Sequence, residues 1–290
     1  MGKRRGVLKK KEVEKPRNHE RADYIFQTMN QELQDKALLA AEAHIFKLEK
    51  EGKMDEPIFL QLTTMVQTSK SKEFTRRMIK IPNRLRTVKN TTILLVTKDP
   101  VDTYRVPLTD KEAVTSDTFT DIVGYKKFKT MVGTSKKALK TYHEYDMIIT
   151  DNRLHSLLPK LLEPTIFCKS SQKFPLMLQM AKPNPDAQLV KTKKSGFKDE
   201  RVEPEYVQGQ IKSWCRNTTF VPSTGPVISI IVGNPKLSGS EIIENIDSVL
   251  TYLCDESSRP IGGIVQGGFE GILDMHLRAN DKTLPIMKKS

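Results

Sequence analysis

Two segments near the middle of the chain, TTILLVT (91–97) and DMIITD (146–151), are dominated by apolar and β-branched residues. Such runs are typical of parallel strands buried on both faces, whereas a strand with one wet face alternates apolar and polar residues. A sheet of strands buried on both faces needs helices on each side. The two runs therefore restrict this part of the chain to a three-layer α/β arrangement.

The residues around these runs complete a βαβ pattern. A loop and a long helical stretch connect the two runs. Asp151 is placed to cap a helix through LHSLLPKLLE (154–163), and TIFCK (165–169) is predicted as the third strand. Strand, helix, strand, helix, strand is the order of a parallel unit. We expect a small βαβ (Rossmann-like) three-layer domain from 90 to 175.

The flanks of this segment carry a different kind of structure. Helical spacing from Glu32 to Glu51 ends at Gly52, and alternation predicts strands at 57–65 and 74–82. Downstream we predict strands LMLQM (176–180), VISIIVG (227–233), FEGILDMHLRA (269–279) and LPIM (284–287), with helices at about 205–216 and from Ser238 or Ser240 to Leu253. The N-terminal flank lacks partners of its own. We therefore expect residues 31–89 and 176–290 to form one split α+β domain around the insertion.

The N-terminal segment is polar and basic. Up to Arg21 it has nine Lys and Arg residues against three glutamates. Such a composition buries too little apolar surface to offset the entropy of ordering. Residues 1–30 are predicted to be a disordered basic arm that carries a nuclear or nucleolar address or lies along an RNA backbone.

The charge of the whole chain favours a phosphate-rich partner. Lys and Arg number 48 against 35 acidic residues, a formal net charge of +13. Each cation placed on a phosphate releases condensed counterions, so this excess favours nucleic acid. Two clusters stand out, one near the second strand (Arg76, Arg77, Lys80, Arg84, Arg86, Lys89) and one in the predicted insertion (Lys126, Lys127, Lys129, Lys136, Lys137, Lys140).

Features that could indicate an enzyme are better explained by structure. GGIVQGG (262–268) follows a predicted helix and precedes a strand, whereas a phosphate-binding glycine loop precedes a helix. His143, Glu144 and Asp146 lie where a helix runs into a buried strand and are interpreted as turn formers. The three cysteines are too widely spaced for zinc, and a sparse, odd count favours a reducing compartment. We expect no catalysis, no cofactor, no metal, no small-molecule substrate and no membrane partner.

Four short segments resemble a known family. KMDEPIFLQL (53–62) and RMIKIPN (77–83) resemble the first two strands of the ribosomal protein L-one family, which binds ribosomal RNA at the large-subunit stalk. KSSQKFP (169–175) resembles its return segment, and DKTLPI (281–286) its terminal loop. The resemblance implies a two-domain split fold with an RNA site at the start of the first strand and at the terminal loop. Carried over, that site is Lys53, Met54, Thr283, Leu284 and Pro285.

Further cations are candidates for phosphate contacts. Lys169 and Lys173 lie in the segment that resembles the family's return segment, and Arg76, Arg77 and Arg84 belong to the first basic cluster. YDMIITDNRLHSLLPKLL (145–162) and RPIGGIVQGG (259–268) resemble nucleolar members associated with the U-three snoRNA small-subunit processome. The resemblance thus implies pre-rRNA and pre-ribosomal assembly proteins as partners, in the nucleus and nucleolus.

Two alternatives to this function stay open. The chain could be a protein-interaction module of pre-ribosomes, including the large-subunit precursor, docked through the inserted domain with incidental RNA contact. Met54 replaces an aromatic residue of the family and the terminal loop lacks its glycine, which leaves room for a site dominated by protein contacts. A methyltransferase is the other alternative, although KDPVD (98–102) offers no glycine loop after the first buried strand.

Overall fold

The computed structural model describes residues 26–184, 190–192 and 196–289. Its helices are α1 (Gln31–Lys50), α2 (Asp102–Thr109), α3 (Tyr125–Val132), α4 (Ser135–Glu144), α5 (Leu158–Leu162), α6 (Ile166–Lys169), α7 (Pro204–Arg216) and α8 (Gly239–Cys254). Its strands are β1 (Ile58–Thr64), β2 (Arg77–Ile79), β3 (Ile93–Thr97), β4 (Asp121–Gly124), β5 (Met147–Asp151), β6 (Leu176–Leu178), β7 (Val190–Thr192), β8 (Gly196–Lys198), β9 (Thr218–Phe220), β10 (Val227–Gly233), β11 (Ile272–Ala279) and β12 (Lys282–Lys288).

One antiparallel sheet joins the two ends of the chain, in the order β10-β1-β11-β12. β1 pairs with β10 on one side and with β11 on the other, although β1 lies far from both in sequence. Helices α1 and α8 pack together against this sheet, with Ala37, Ala41 and Leu48 among the buried residues of α1. The expected pairing of the N-terminal strand with C-terminal strands is therefore found in the structure.

The inserted sheet is parallel and has the order β4-β3-β5-β6. Every residue of β3 and β5 is buried. Ile93 and Leu95 pack in an apolar cluster on one side of the sheet, and Leu94 and Val96 pack in a cluster on the other. The three-layer arrangement predicted from the two apolar runs is confirmed.

Two elements of the insertion differ from the prediction. The segment predicted as the third strand, 165–169, forms the one-turn helix α6 instead, because the Thr165 hydroxyl accepts from Phe167 N at 3.3 Å and caps a helical turn. The strand β4 was not predicted, since DIVG is too short to show alternation. β6, not 165–169, extends the sheet beside β5.

The insertion also extends further along the chain than predicted. Leu176 and Leu178 of β6 pack in the same cluster as Val207 and Ile211 of α7. The boundary expected between 175 and 176 is therefore wrong, because β6 and α7 complete the inserted sheet and its helical layer. The chain returns to the split domain after α7, where β9 pairs with β2.

The basic arm is shorter than predicted at its C-terminal end. The buried carboxylate of Asp247 on α8 accepts hydrogen bonds from the backbone N–H of Gln27 (2.8 Å), Thr28 (2.8 Å) and Met29 (2.9 Å). The side chain of Met29 is buried in the core of the split domain. Residues 26–30 are thus ordered, and the prediction for residues 1–25 lies outside the described residues.

Candidate nucleic-acid interface

Lys53 lies in the turn that follows α1. Gly52 has a φ of +69°, a left-handed conformation that favours glycine and ends the helix, and Lys53 N donates to Leu48 O at 2.9 Å. With the Asn280 amide oriented to donate to Glu56 Oε1 (2.6 Å), its oxygen accepts from Lys53 Nζ at 3.3 Å. Asn280 forms the turn between β11 and β12, so Lys53 lies beside the terminal hairpin.

Acidic groups surround the Lys53 ammonium. Its Nζ lies 2.8 Å from Glu51 Oε2, and this hydrogen bond raises the pKa of Lys53, with smaller contributions from Glu56 and Asp281. Met54, the next residue, is 38% exposed. Because carboxylates already balance the charge, Lys53 offers less attraction to a phosphate than a lysine without acidic neighbours.

Thr283, Leu284 and Pro285 lie in the edge strand β12, which corrects their expected place in a loop. Thr283 lies opposite Arg278, and Pro285 lies opposite His276. Leu284 lies opposite the fully buried Leu277 and packs against the core. Thr283 and Pro285 are exposed on the other face of the sheet. These two residues are therefore accessible to a ligand, whereas Leu284 has a structural role.

The face of this sheet opposite α1 and α8 is mostly polar. We call it the open sheet face. Its polar residues Gln61, Thr63, Ser229, His276, Arg278 and Thr283 share it with Pro285, with the apolar Phe59, Val227 and Ile231, and with the acidic Asp274. The Arg278 guanidinium carbon lies 5.3 Å from the ring centroid of Phe59, within the range of a cation–π contact. In the described part of the chain, Arg278 Nε is buried and has no hydrogen-bond partner. An unpaired buried donor of this kind costs free energy in the folded state.

Arg278 and His276 were not predicted as site residues. The alternation in FEGILDMHLRA contains the signal, because residues 274, 276 and 278 share one face of the strand. Their burial pattern confirms that alternation, since Met275 and Leu277 are buried and their neighbours are half-buried. Only the position of β11 in the middle of the sheet, next to both β1 and β12, shows that these side chains face Thr283 and Pro285.

Arg76 has a structural role. Its guanidinium donates to Phe174 O at 3.2 Å, within the insertion, and to the hydroxyl of Thr219 on β9 of the split domain, so it links the two domains. Burial lowers the pKa of Arg76, and the nearby charge of Arg86 lowers it further. Binding to RNA would require this guanidinium to break hydrogen bonds that hold three chain segments together. The geometry therefore argues against the expected phosphate contact of Arg76.

Arg77 and Lys173 are also bonded within the chain. Arg77 donates to both carboxylate oxygens of Glu73, at 2.8 and 3.0 Å, and to Ile261 O at 2.7 Å. Lys173 Nζ donates to Tyr142 O and Tyr145 O, each at 2.8 Å, and burial lowers its pKa. The predicted phosphate contacts at these two residues are not supported by their geometry.

The remaining cations of the predicted site are Arg84 and Lys169. Arg84 is exposed in the segment between β2 and β3. Lys169 is the last residue of α6, and its side chain lies outside the described part of the structure. Both remain predictions as RNA contacts.

The sequence was compared with those of known proteins. It matches the family described as "Ribosomal protein L1p/L10e family" over residues 41–278, which is most of the chain. The chain belongs to this family. The match includes β1, the whole inserted sheet and nearly all of β11, so the family resemblance is confirmed; three of the four short segments lie inside it, and DKTLPI (281–286) lies beyond it.

Two fungal proteins are similar to this member of the L1p/L10e family. "Ribosome biogenesis protein UTP30" of Saccharomyces cerevisiae is 36% identical over 200 residues, which are 68% of this chain and 68% of the relative. "Putative ribosome biogenesis protein C8F11.04" of Schizosaccharomyces pombe is 24% identical over 233 residues, which are 80% of this chain and 54% of that protein.

The described residues contain no group of three or more His, Cys, Asp or Glu side chains that could hold a metal ion. Across 26–184, 190–192 and 196–289, no helix combines the length and the apolar character needed to cross a bilayer.

Proposed function

We propose that this chain is a ribosome-biogenesis factor that binds pre-rRNA and assembles into a pre-ribosomal particle. The observation that carries the proposal is its 36% identity, over 68% of both chains, to a yeast protein named as a ribosome biogenesis protein. The second fungal relative bears a similar name. Membership of a family of ribosomal proteins agrees with this proposal.

The open sheet face supports RNA as the ligand. It presents a guanidinium, an imidazole and short polar side chains around the exposed Thr283 and Pro285. Such groups suit the sugars and base edges of folded RNA, which proteins recognise through 2′-hydroxyl contacts and stacking. We therefore place the specific RNA contact on this face, with Lys53 and Met54 at its rim.

The proposal includes the small-subunit pathway and the nucleolus. Two segments of the sequence resemble nucleolar members of the family associated with the small-subunit processome, and the net charge of +13 suits a compartment rich in RNA. A large-subunit particle is the alternative.

The localisation can be tested with the N-terminal arm. Deletion of residues 1–25 should reduce nucleolar accumulation of a tagged protein. Unchanged accumulation would show that the arm is not needed for nucleolar localisation.

We propose no catalytic role. Burial raises the pKa of Cys254 to about 11 and also raises the pKa of Cys168 and Cys215, which leaves these thiols protonated and weakly nucleophilic. The glycines at 267 and 268 adopt positive φ values and lead through a short 3-10 turn into β11, not into an α-helix. A phosphate cradle at a helix N-terminus is therefore not formed there.

A protein-docking role is the second candidate, and one observation favours it. Leu39 and Phe46 are each 69% exposed on α1, and they lie seven residues apart on the same face. An apolar pair of this kind could bind a protein partner in the particle. Sedimentation of native particles before and after RNase separates the two candidates, since release by RNase supports RNA and retention supports protein docking.

Direct binding tests the RNA contact itself. His276→Ala with Thr283→Ala should weaken binding to a pre-rRNA fragment by about 1–3 kcal/mol and leave the salt dependence nearly unchanged. Thr224→Ala, an exposed threonine outside the open sheet face, is the control. Equal affinity of the double variant and the control would move the RNA contact away from this face.

A further inference from the structure

The helices α3 and α4 form a lysine-rich surface on the inserted domain. The segment 125–144 contains six lysines and one glutamate. Phe128, Val132 and Ala138 turn inward and pack in the cluster beneath the sheet. All six lysines are exposed, and we call them the lysine surface: Lys126, Lys127, Lys129, Lys136, Lys137 and Lys140.

The lysine surface is distinguished by its density, because six exposed lysines lie on two consecutive helices. In the described residues, no carboxylate lies within ion-pair distance of any of its six ammonium groups. By contrast, Lys36, Lys53 and Lys236 each lie less than 3 Å from a carboxylate oxygen. The six ammonium groups therefore remain exposed to solvent, and the nearest carboxylate contact is that of Asp99 with the backbone N–H of Lys126 at 3.1 Å.

The positions of the lysines strengthen this potential. Lys126 and Lys127 lie in the first turn of α3, and Lys136 and Lys137 lie in the first turn of α4. Neither first turn contains an acidic residue, whereas α1 and α8 begin with Glu32 and Glu241. Cations at a helix N-terminus oppose the helix dipole and weaken the helix. At the start of α3 the Asp99 carboxylate already accepts from Lys126 N at 3.1 Å, so the cost falls mainly on α4, where an external anion would offset it.

The chemistry of the surface decides between two kinds of anionic partner. Protein interfaces are enriched in aromatic residues and arginine and depleted of lysine. The exposed side chains of α3 and α4 include six lysines, no arginine and one large apolar residue, Leu139. Lysine binds phosphate as a point charge without fixed geometry, which suits the backbone of a nucleic acid of any sequence.

We propose that the lysine surface is a second RNA site, which binds the phosphate backbone of a duplex independently of its sequence. The inference rests on the proposed function, because both take RNA as the ligand. It adds a separate contact on the inserted domain to the specific contact on the open sheet face. One chain would then hold pre-rRNA at two places, with different dependence on sequence and on salt.

The test measures binding of the full chain to two RNA duplexes of unrelated sequence at several salt concentrations. Lys136→Gln with Lys140→Gln should lower affinity for both duplexes on the order of tenfold and reduce the salt slope by about 1–2. The control is Lys111→Gln with Lys212→Gln, which removes the same charge; Lys212 lies on α7, across the inserted sheet from α4. An equal effect of both pairs would show a general charge effect and overturn the site.

A second variant guards against loss of folding. Lys136→Glu places an acidic residue in the first turn of α4, so it should raise or preserve the melting temperature while it weakens duplex binding. Unchanged duplex binding by this variant would overturn the proposal. The lysine surface would then be assigned to an acidic protein partner instead of RNA. If His276→Ala with Thr283→Ala binds pre-rRNA as tightly as the wild type while the lysine variants bind duplexes weakly, the proposed specific contact is overturned and the lysine surface is kept.

Discussion

Lys53 and Asn280 meet at one corner of the split domain, with Lys53 Nζ 3.3 Å from the Asn280 amide oxygen. One residue follows the first helix, and the other forms the turn of the last hairpin. Their contact exists because β1 and β11 are neighbours in the sheet. It brings together the two segments whose family resemblance implied a shared RNA site.

The conformation of Asn280 gives a first prediction. Its φ of 50° lies in the left-handed region, where glycine and asparagine are tolerated and alanine is strained. We expect Asn280→Ala to lower the free energy of unfolding by about 1–2 kcal/mol. Asn280→Gly should stay within about 0.5 kcal/mol of the wild type. Urea titration of both variants measures the difference, and equal losses would mean that the amide contacts, not the backbone, hold the turn.

Leu284 and Thr283 are adjacent but should respond differently to substitution. Leu284 packs against the core, so Leu284→Ala should lower the free energy of unfolding by about 1–3 kcal/mol. Thr283 is exposed, so Thr283→Ala should leave stability within about 0.5 kcal/mol and weaken specific RNA binding instead. Thermal melts combined with RNA titration separate the two effects. Leu39→Ala, at a 69% exposed position, is the control for stability.

The sequence predicted the inserted sheet best. Continuous β-branched runs at 91–97 and 146–151 can be buried only between two helical layers, so β3 and β5 follow from local composition. The extent of the insertion could not be predicted, because the residues LML at 176–178 predict a strand but do not indicate which of the two sheets it joins. β6 lies beside β5 only because the chain returns there after α6, which is a property of the tertiary fold.

The candidate site was predicted less completely, for a similar reason. The sequence identifies Arg76, Arg77 and Lys173 as cations. It does not show that they are hydrogen-bonded within the chain, because most of their partners lie in distant segments. Likewise, a period of two places His276 and Arg278 on one face of a strand without showing which face is open. The order of the strands answers the second question, and the packing of distant segments answers the first.

Arg76 provides a third prediction. Arg76→Ala removes the bonds to Phe174 O and to the Thr219 hydroxyl and leaves the buried carbonyl without its donor. We expect a loss of about 1–3 kcal/mol in the free energy of unfolding. The salt slope of RNA binding should not change, because this guanidinium is engaged inside the chain. Arg216→Ala, at an exposed position on α7, is the matched control, and a reduced slope for Arg76→Ala alone would restore Arg76 as an RNA contact.

His44 underlies the last prediction, which concerns pH. It is fully buried on α1, and its Nε2 lies 3.0 Å from Leu277 O, so the neutral ring donates to this carbonyl. Nδ1 is buried and has no partner among the described residues. Burial lowers the pKa of His44 and outweighs the hydrogen bond to Leu277 O, which raises it; Lys282 and Lys47 lower it slightly further. The folded state therefore favours the neutral imidazole.

A lowered folded pKa means that the unfolded chain binds a proton at His44 before the folded chain does. Stability should be complete at pH above the ordinary histidine value, near 6.5, and should fall as pH decreases through it. One proton corresponds to a slope of at most about 1.4 kcal/mol per pH unit. His44→Gln, which keeps an N–H donor for Leu277 O, should flatten the dependence between about pH 7 and 5, whereas His143→Gln at an exposed position should not. Chemical denaturation across this range measures it, and parallel pH profiles for His44→Gln and wild type would assign the dependence to other groups.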